Sequence, residues 1–262
     1  MKFNDNRPLP ILLGIFLLLW AGSPWAGMVE NRSPGDGPGA APIYFYASQS
    51  GKKTLDKGSD GGNPFAGALI ELLDRPDLGF GEFSTGLMEL TAQKSKGFQQ
   101  PDVSAASIRD VLRLCALQLA PKPAAQRRVA LVLVFSDYSG ANLPPLPGAR
   151  GDMKRIADAL QRAGFDEVRK LIDPNHGKLE SAMREFTELS QQSDLAVLYA
   201  TGHGIEVEGN IYLIPGHHPF LKKSTMLEKR TVPLTRLGNA PRASHANIIF
   251  YGGSRETPFS DD

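Results

Sequence analysis

Apolar runs and amphipathic stretches alternate along the second half of the chain. Val129–Phe135 is an unbroken apolar run of the kind buried on both faces of a parallel sheet. Met153, Ile156, Ala157 and Leu160 then recur at helical spacing, ending at Gly164. Val168–Ile172 predicts a second strand, and Leu179, Met183, Phe186 and Leu189 a second helix face. Leu195–Ala200 predicts a third strand that runs into Thr-Gly-His-Gly. GIEVEGNIYLIP predicts a hairpin turning at Gly209-Asn210, and a short helix around Leu234–Leu237 precedes a last strand, Asn247–Tyr251. Such alternation predicts a three-layer α/β fold, a mainly parallel sheet with helices on both faces.

The first half is patterned differently. Ile43–Ala47 is one short β-rich run, and helical patterns follow it. Asn63 as N-cap with Pro64 at the first helical position opens a helix whose face is Phe65, Ala68, Leu69, Leu72 and Leu73. Phe83, Leu87 and Leu90 mark a second helix; Ile108, Val111, Leu112, Cys115 and Leu119 mark a third. Residues 121–127 read as a connector, and the Gly/Pro-rich residues 28–41 as a tether. Residues 1–27 carry Lys2 and Arg7 ahead of the apolar run Ile11–Trp20, the pattern of an export signal. The expected location is therefore periplasmic or secreted, or membrane-anchored if that segment is not cleaved.

Composition narrows the chemistry. Over 262 residues, 29 basic side chains nearly balance 28 acidic ones, so nucleic acid and anionic membrane surfaces are not expected partners. Membrane contact is expected only through an uncleaved N-terminal segment. Cys115 is the one cysteine, so no internal disulfide is available, and its helical spacing marks it as a buried hydrophobe. His217-His218 has no carboxylate or cysteine at ligand spacing, so no metal is expected, nor any cofactor. Asn31-Arg32-Ser33 fits a glycosylation acceptor, weakened by Pro34. No helix follows GHGIEVEG, which excludes a phosphate loop.

RRVALVLVFSDY, LPPLPGARGDMKRIADALQRAGF, DLAVLYATGHGIEVEGNIYLIP and IIFYGGSRETPF together resemble successive segments of the caspase-like peptidases. PIYFYASQSG, SDGGNPFAGALIELL and KGFQQPDVSAAS resemble that family's small-subunit half, which ordinarily follows the catalytic cysteine. In this sequence residues 42–120 carry the small-subunit-like half and residues 128–262 the large-subunit-like half. A circular permutation explains that order, with the chain's ends at the family's intersubunit joint. Strand exchange with a neighbouring subunit and a gene-boundary accident are the alternatives. The family's strand order, 2-1-3-4-5-6, implies that Ile43–Ala47 lies directly beside Asn247–Tyr251.

The resemblance also implies site roles. His203 falls on the family's general base, and Gly204 on an oxyanion donor shared with the nucleophile's own amide. Ser254 falls where the family has its nucleophilic cysteine. Gly252 stands where the metacaspase-like branch has an Asp associated with a basic substrate residue, which puts that specificity in doubt. A serine hydroxyl depends on a positioned base far more than a thiol does, and a third group normally orients that base. Asp137 and Glu206 are the candidates for this third group. The expected function is a degenerate peptidase whose cleft binds an extended peptide in a regulatory role. One alternative is an active endopeptidase using His203 and Ser254; another is a small-molecule-binding α/β module with a pocket unrelated to His203.

Overall fold

The computed structural model describes residues 40–58, 61–104, 118–119, 122–220 and 227–257, all within one compact unit, Gly37–Asp262. Residues 1–27, expected to be an export signal, Asn31 and the expected Cys115 helix face from Ile108 to Cys115 lie outside the described residues. In chain order the elements are β1 (Pro42–Tyr46), α1 (Pro64–Leu73), α2 (Phe80–Lys94), β2 (Asp102–Val103) and β3 (Arg128–Val134). Then come α3 (Pro147–Arg162), β4 (Glu167–Ile172), α4 (His176–Gln191), β5 (Leu195–Thr201), β6 (Gly204–Val207) and β7 (Asn210–Leu213). The described part closes with α5 (Leu227–Arg230), β8 (Val232–Pro233), α6 (Leu234–Gly238) and β9 (Ala246–Tyr251).

Six strands form one sheet in the order β2-β1-β9-β5-β3-β4, and only the β1–β2 pair is antiparallel. β3, β5 and β9 are buried at every position, which is why their sequences are unbroken apolar runs. β1, first in the chain, lies in parallel register with β9, Ile43 opposite Ile248 and Phe45 opposite Phe250. The chain therefore folds as the three-layer α/β architecture that the alternation predicts, with β1 beside β9 as the resemblance to the caspase-like peptidases implies.

The two faces of the sheet are filled separately. Ala130, Val132 and Val134 of β3 point into the core under α1, α2 and α3, while Val129, Leu131 and Leu133 point to the α4 and α6 side. On the first face Phe250 of β9 sits among Phe45, Phe65 and Phe83, with ring centroids at 5.4, 6.4 and 6.1 Å. Those three rings come from residues 42–94, so the two halves of the sequence share one core. Burying aromatic surface of this kind is among the largest stabilising contributions a side chain makes.

Asn63 caps α1 as its sequence predicts, its side chain accepting from the Phe65 amide at 2.8 Å. The hairpin differs by one residue. β6 and β7 are joined by Glu208 and Gly209, both at positive φ (50° and 76°), not by Gly209-Asn210. Two successive left-handed residues suit the right-handed twist of the flanking strands, and Glu208 accepts the backbone strain because Gly209 supplies the second position freely.

Candidate active site

β5 and β9 are parallel neighbours, so their C-terminal ends share one rim. His203 follows β5 and Ser254 follows β9. The peptide ends approach closely: a Cβ on Gly204 would overlap the Tyr251 hydroxyl and sit 2.6 Å from the Ser254 carbonyl oxygen. Only glycine at 204 permits that approach. β6 then runs on beside the Ser254 strand end, the Glu206 amide donating to Glu256 O at 2.8 Å.

His203 is held from three sides. Its Nε2 lies 2.8 Å from the carbonyl oxygen of Pro144. A carbonyl only accepts, so Nε2 carries the proton and Nδ1 keeps its lone pair, the form a general base needs. The Tyr138 hydroxyl accepts from the His203 amide at 2.7 Å and donates to Ile214 O at 3.0 Å. Its ring stands edge-on to the imidazole, centroids 4.4 Å apart. Burial pushes the Tyr138 phenol far up, so it stays neutral throughout the working range.

Ser254 has other company. Its Oγ accepts from the Thr54 amide at 3.0 Å and lies 3.2 Å from Thr54 Oγ1. Its carbonyl accepts from the Tyr251 hydroxyl at 3.1 Å. Among the described residues no hydrogen bond joins His203 to Ser254; each is engaged elsewhere.

Neither carboxylate expected to orient His203 does so. Glu206 is buried against Arg255 and Ser50, at 2.7 Å to Arg255 Nε and 2.8 Å to Ser50 Oγ. Asp137 is exposed, and the Ser139 amide and hydroxyl beside it hold its carboxyl below the usual range. The orienting group is the Pro144 backbone, which no side-chain pattern announces. The His217 and His218 rings lie 4.3 Å apart, tilted at 58°, with His217 pulled to a lower pKa by burial first and then by His218 and His176. No cluster of three or more metal-ligating side chains occurs among the described residues.

The floor beside Gly252 is crowded. A Cβ there would lie 2.7 Å from the Tyr199 hydroxyl and 3.0 Å from Thr201 Oγ1. Tyr199 is wholly buried and its hydroxyl makes no hydrogen bond of good geometry, although the Thr201 hydroxyl faces the same space. Asn63 ties this floor to α3: its Nδ2 donates to Gly252 O at 3.2 Å and its amide to Asp152 Oδ2 at 2.8 Å. Asp152 is fully buried and also accepts from Arg155. Desolvation nonetheless raises its pKa to about 6, against the lowering pull of the Asn63 amide and Arg155. Asp56 caps α3 from across the chain, accepting from the Gly148 and Ala149 amides at 2.8 Å each. An Asp on an amphipathic helix reads as solvated, so Asp152 gave no signal in the sequence.

The family model for the caspase domain matches residues 127–237. Those residues are similar to the caspase-like peptidase family. That match takes in His203 and Gly204 and stops short of Ser254. No curated protein matches this caspase-like chain. Among solved structures, Raptor from Chaetomium thermophilum is similar at 15% identity and a TM-score of 0.26, over 49% of this chain. The chain spans only 12% of that protein's length.

Proposed function

We propose that this caspase-like chain is a degenerate peptidase whose rim binds an extended peptide without cutting it, in a regulatory or scaffolding role. The observation that carries the reading is the engagement of Ser254 Oγ by Thr54 instead of by His203. A serine hydroxyl that is not hydrogen-bonded to its base is a poor nucleophile, and loss of a nucleophile in another peptidase costs on the order of 10⁶ in turnover. The glycine at 252, where the metacaspase-like branch has an Asp, supports the same reading.

We further read residues 42–120 and 128–262 as one circularly permuted domain. The parallel pairing of β1 with β9 and the aromatic cluster around Phe250 support this over strand exchange with a neighbour. Export rests on the pattern of residues 1–27 alone.

A second reading, an active serine endopeptidase, is favoured by one observation: the Pro144 contact leaves Nδ1 of His203 able to accept a proton. A mixture of peptides with acidic, basic and small residues, analysed by mass spectrometry after incubation, separates the two. The degenerate reading expects no cleavage by the natural protein. Turnover abolished by Ser254→Ala would overturn it.

A further inference from the structure

Arg255 follows Ser254 and is nearly fully buried, yet no role falls to it in the site described above. Its guanidinium is surrounded. Nε donates to Glu206 Oε2 at 2.7 Å, and NH1 donates to Ser48 O and Asp102 Oδ2, each at 3.2 Å. The guanidinium carbon lies 4.5 Å above the centre of the Tyr46 ring. Ser50 Oγ donates to the second oxygen of Glu206 at 2.8 Å, completing the carboxylate's set. The backbone of Arg255 is paired as well, its amide with Lys52 O and its carbonyl with the Gly51 amide, both at 2.9 Å.

These partners come from four places: β6, the end of β1, the turn after it, and β2. Gly204, at the start of β6, is the neighbour of the Ser254 carbonyl. Glu206 is two residues further along the same strand. The charged pair thus spans the gap between the strand carrying Gly204 and the peptide carrying Ser254. A planar guanidinium with a fixed fork can bind all of these acceptors at once, which an ammonium cannot.

We infer that Arg255 is the positioning residue of this rim: through Glu206 and the residue 48–52 turn it sets where the Ser254 peptide stands relative to Gly204 and His203. The inference rests on the reading of the rim as a peptidase-derived site. Arg255 need not touch a ligand to act.

The test uses the full chain carrying Ser254→Cys, a change that puts a thiol after β9, the neighbour of the strand that leads to His203. Iodoacetamide alkylation at position 254, in which the thiolate displaces iodide, is followed against pH, and peptide mapping separates it from alkylation at Cys115. The alkylation midpoint at 254 is expected below the free-thiol value of about 8.5 and to return toward it with His203→Ala. Adding Arg255→Lys is expected to move the midpoint up by about one unit, cutting the thiolate fraction near neutrality about tenfold. Circular dichroism at the assay temperature confirms that the chain remains folded. Glu206→Gln, which keeps the shape and removes the charge, is expected to shift it less in the same direction.

A purely structural role predicts a lower Tm with an unchanged midpoint in the folded protein, and that result overturns the inference. Should Arg255→Lys not fold, Glu206→Gln is read by the same criterion. If the Ser254→Cys midpoint already equals that of a free thiol and ignores His203→Ala, position 254 is not governed by His203 and the inference falls, while the degenerate reading stands.

Discussion

His203 and Ser254 sit on one rim but are supported by different parts of the chain. Every described polar contact of His203, with Tyr138, Pro144 and Ile214, comes from residues 138–214, inside the segment that matches the caspase domain. Ser254 and its neighbour Arg255 are held by Thr54, Lys52, Gly51, Ser48 and Asp102 from the first half of the chain, together with Glu206 and Tyr251. The support of His203 is thus assembled locally. That of Ser254 depends on a segment about two hundred residues away in sequence.

The largest effect that tests this contrast is on the Ser254 side. Glu206→Ala removes the closer of the two carboxylates that pair with the buried Arg255 guanidinium, leaving Asp102 at 3.2 Å, and is expected to cost about 1.5–3 kcal/mol of folding stability. Asp137→Ala, at an exposed carboxylate that holds only a local turn, is expected to leave stability nearly unchanged. Urea unfolding of both variants checks the pair. Comparable losses would mean that Glu206 is not the buried partner described here.

Much of this was legible from sequence, for identifiable reasons. Strands buried on both faces announce themselves as apolar runs, and β3, β5 and β9 are such strands. Asn63-Pro64 is a helix start whose two residues each have a mechanism. His203 stood out by its strand-end setting. What escaped is what carries no side-chain signature or spans too far. Pro144 contributes a backbone carbonyl, which any residue has. Glu206 looked like a candidate to orient His203 because they are close in sequence, but its charge partner, Arg255, lies 49 residues on. Asp152 lies on a helix with a polar outer face, and only the packing of the Gly62-Asn63 turn against it makes it buried.

Asp152 gives the next prediction, of similar size but dependent on pH. Its pKa in the folded chain, about 6, lies above the ordinary 3.8. The folded state therefore holds this proton more tightly than the unfolded chain. Below pH 4 the group costs nothing; as pH rises from about 4 to 6 the fold loses up to about 3 kcal/mol, and the loss is constant above that. The stability difference between Asp152→Asn and the natural chain, measured by urea unfolding at several pH values, is expected to swing in the variant's favour across that window. A flat difference would show that the buried carboxylate is well compensated.

A smaller effect is expected at the floor of the rim. Gly252→Ala places a methyl group against the Tyr199 hydroxyl and is expected to cost about 1–3 kcal/mol by overpacking. Tyr199→Phe removes the atom in the way and should recover most of that loss, a coupling that thermal unfolding of the single and double variants can read. The same crowding means that Gly252→Asp will not restore a carboxylate to the site unless Tyr199 is reduced as well. Independent, additive losses would show that the two positions do not share the space.

The smallest effect returns to the contrast between the two supports. Thr54→Ala removes the hydroxyl beside Ser254 but leaves the backbone amide that donates to its Oγ. One partly buried hydrogen bond of this kind is worth about 0.5–1.5 kcal/mol, so a modest drop in Tm is expected. Tyr138→Phe on the other side strips the acceptor from the His203 amide and the donor from Ile214 O, leaving both backbone groups unpaired in a buried place. An unsatisfied buried group costs about 1–3 kcal/mol, so Tyr138→Phe should destabilise more than Thr54→Ala although each deletes one hydroxyl oxygen. The ordering has a physical cause: a removed side chain matters most when its partners are backbone atoms with no water to replace it. Unfolding midpoints that place Thr54→Ala at or below Tyr138→Phe in stability would mean that the first half of the chain grips Ser254 more strongly than its hydrogen bonds account for.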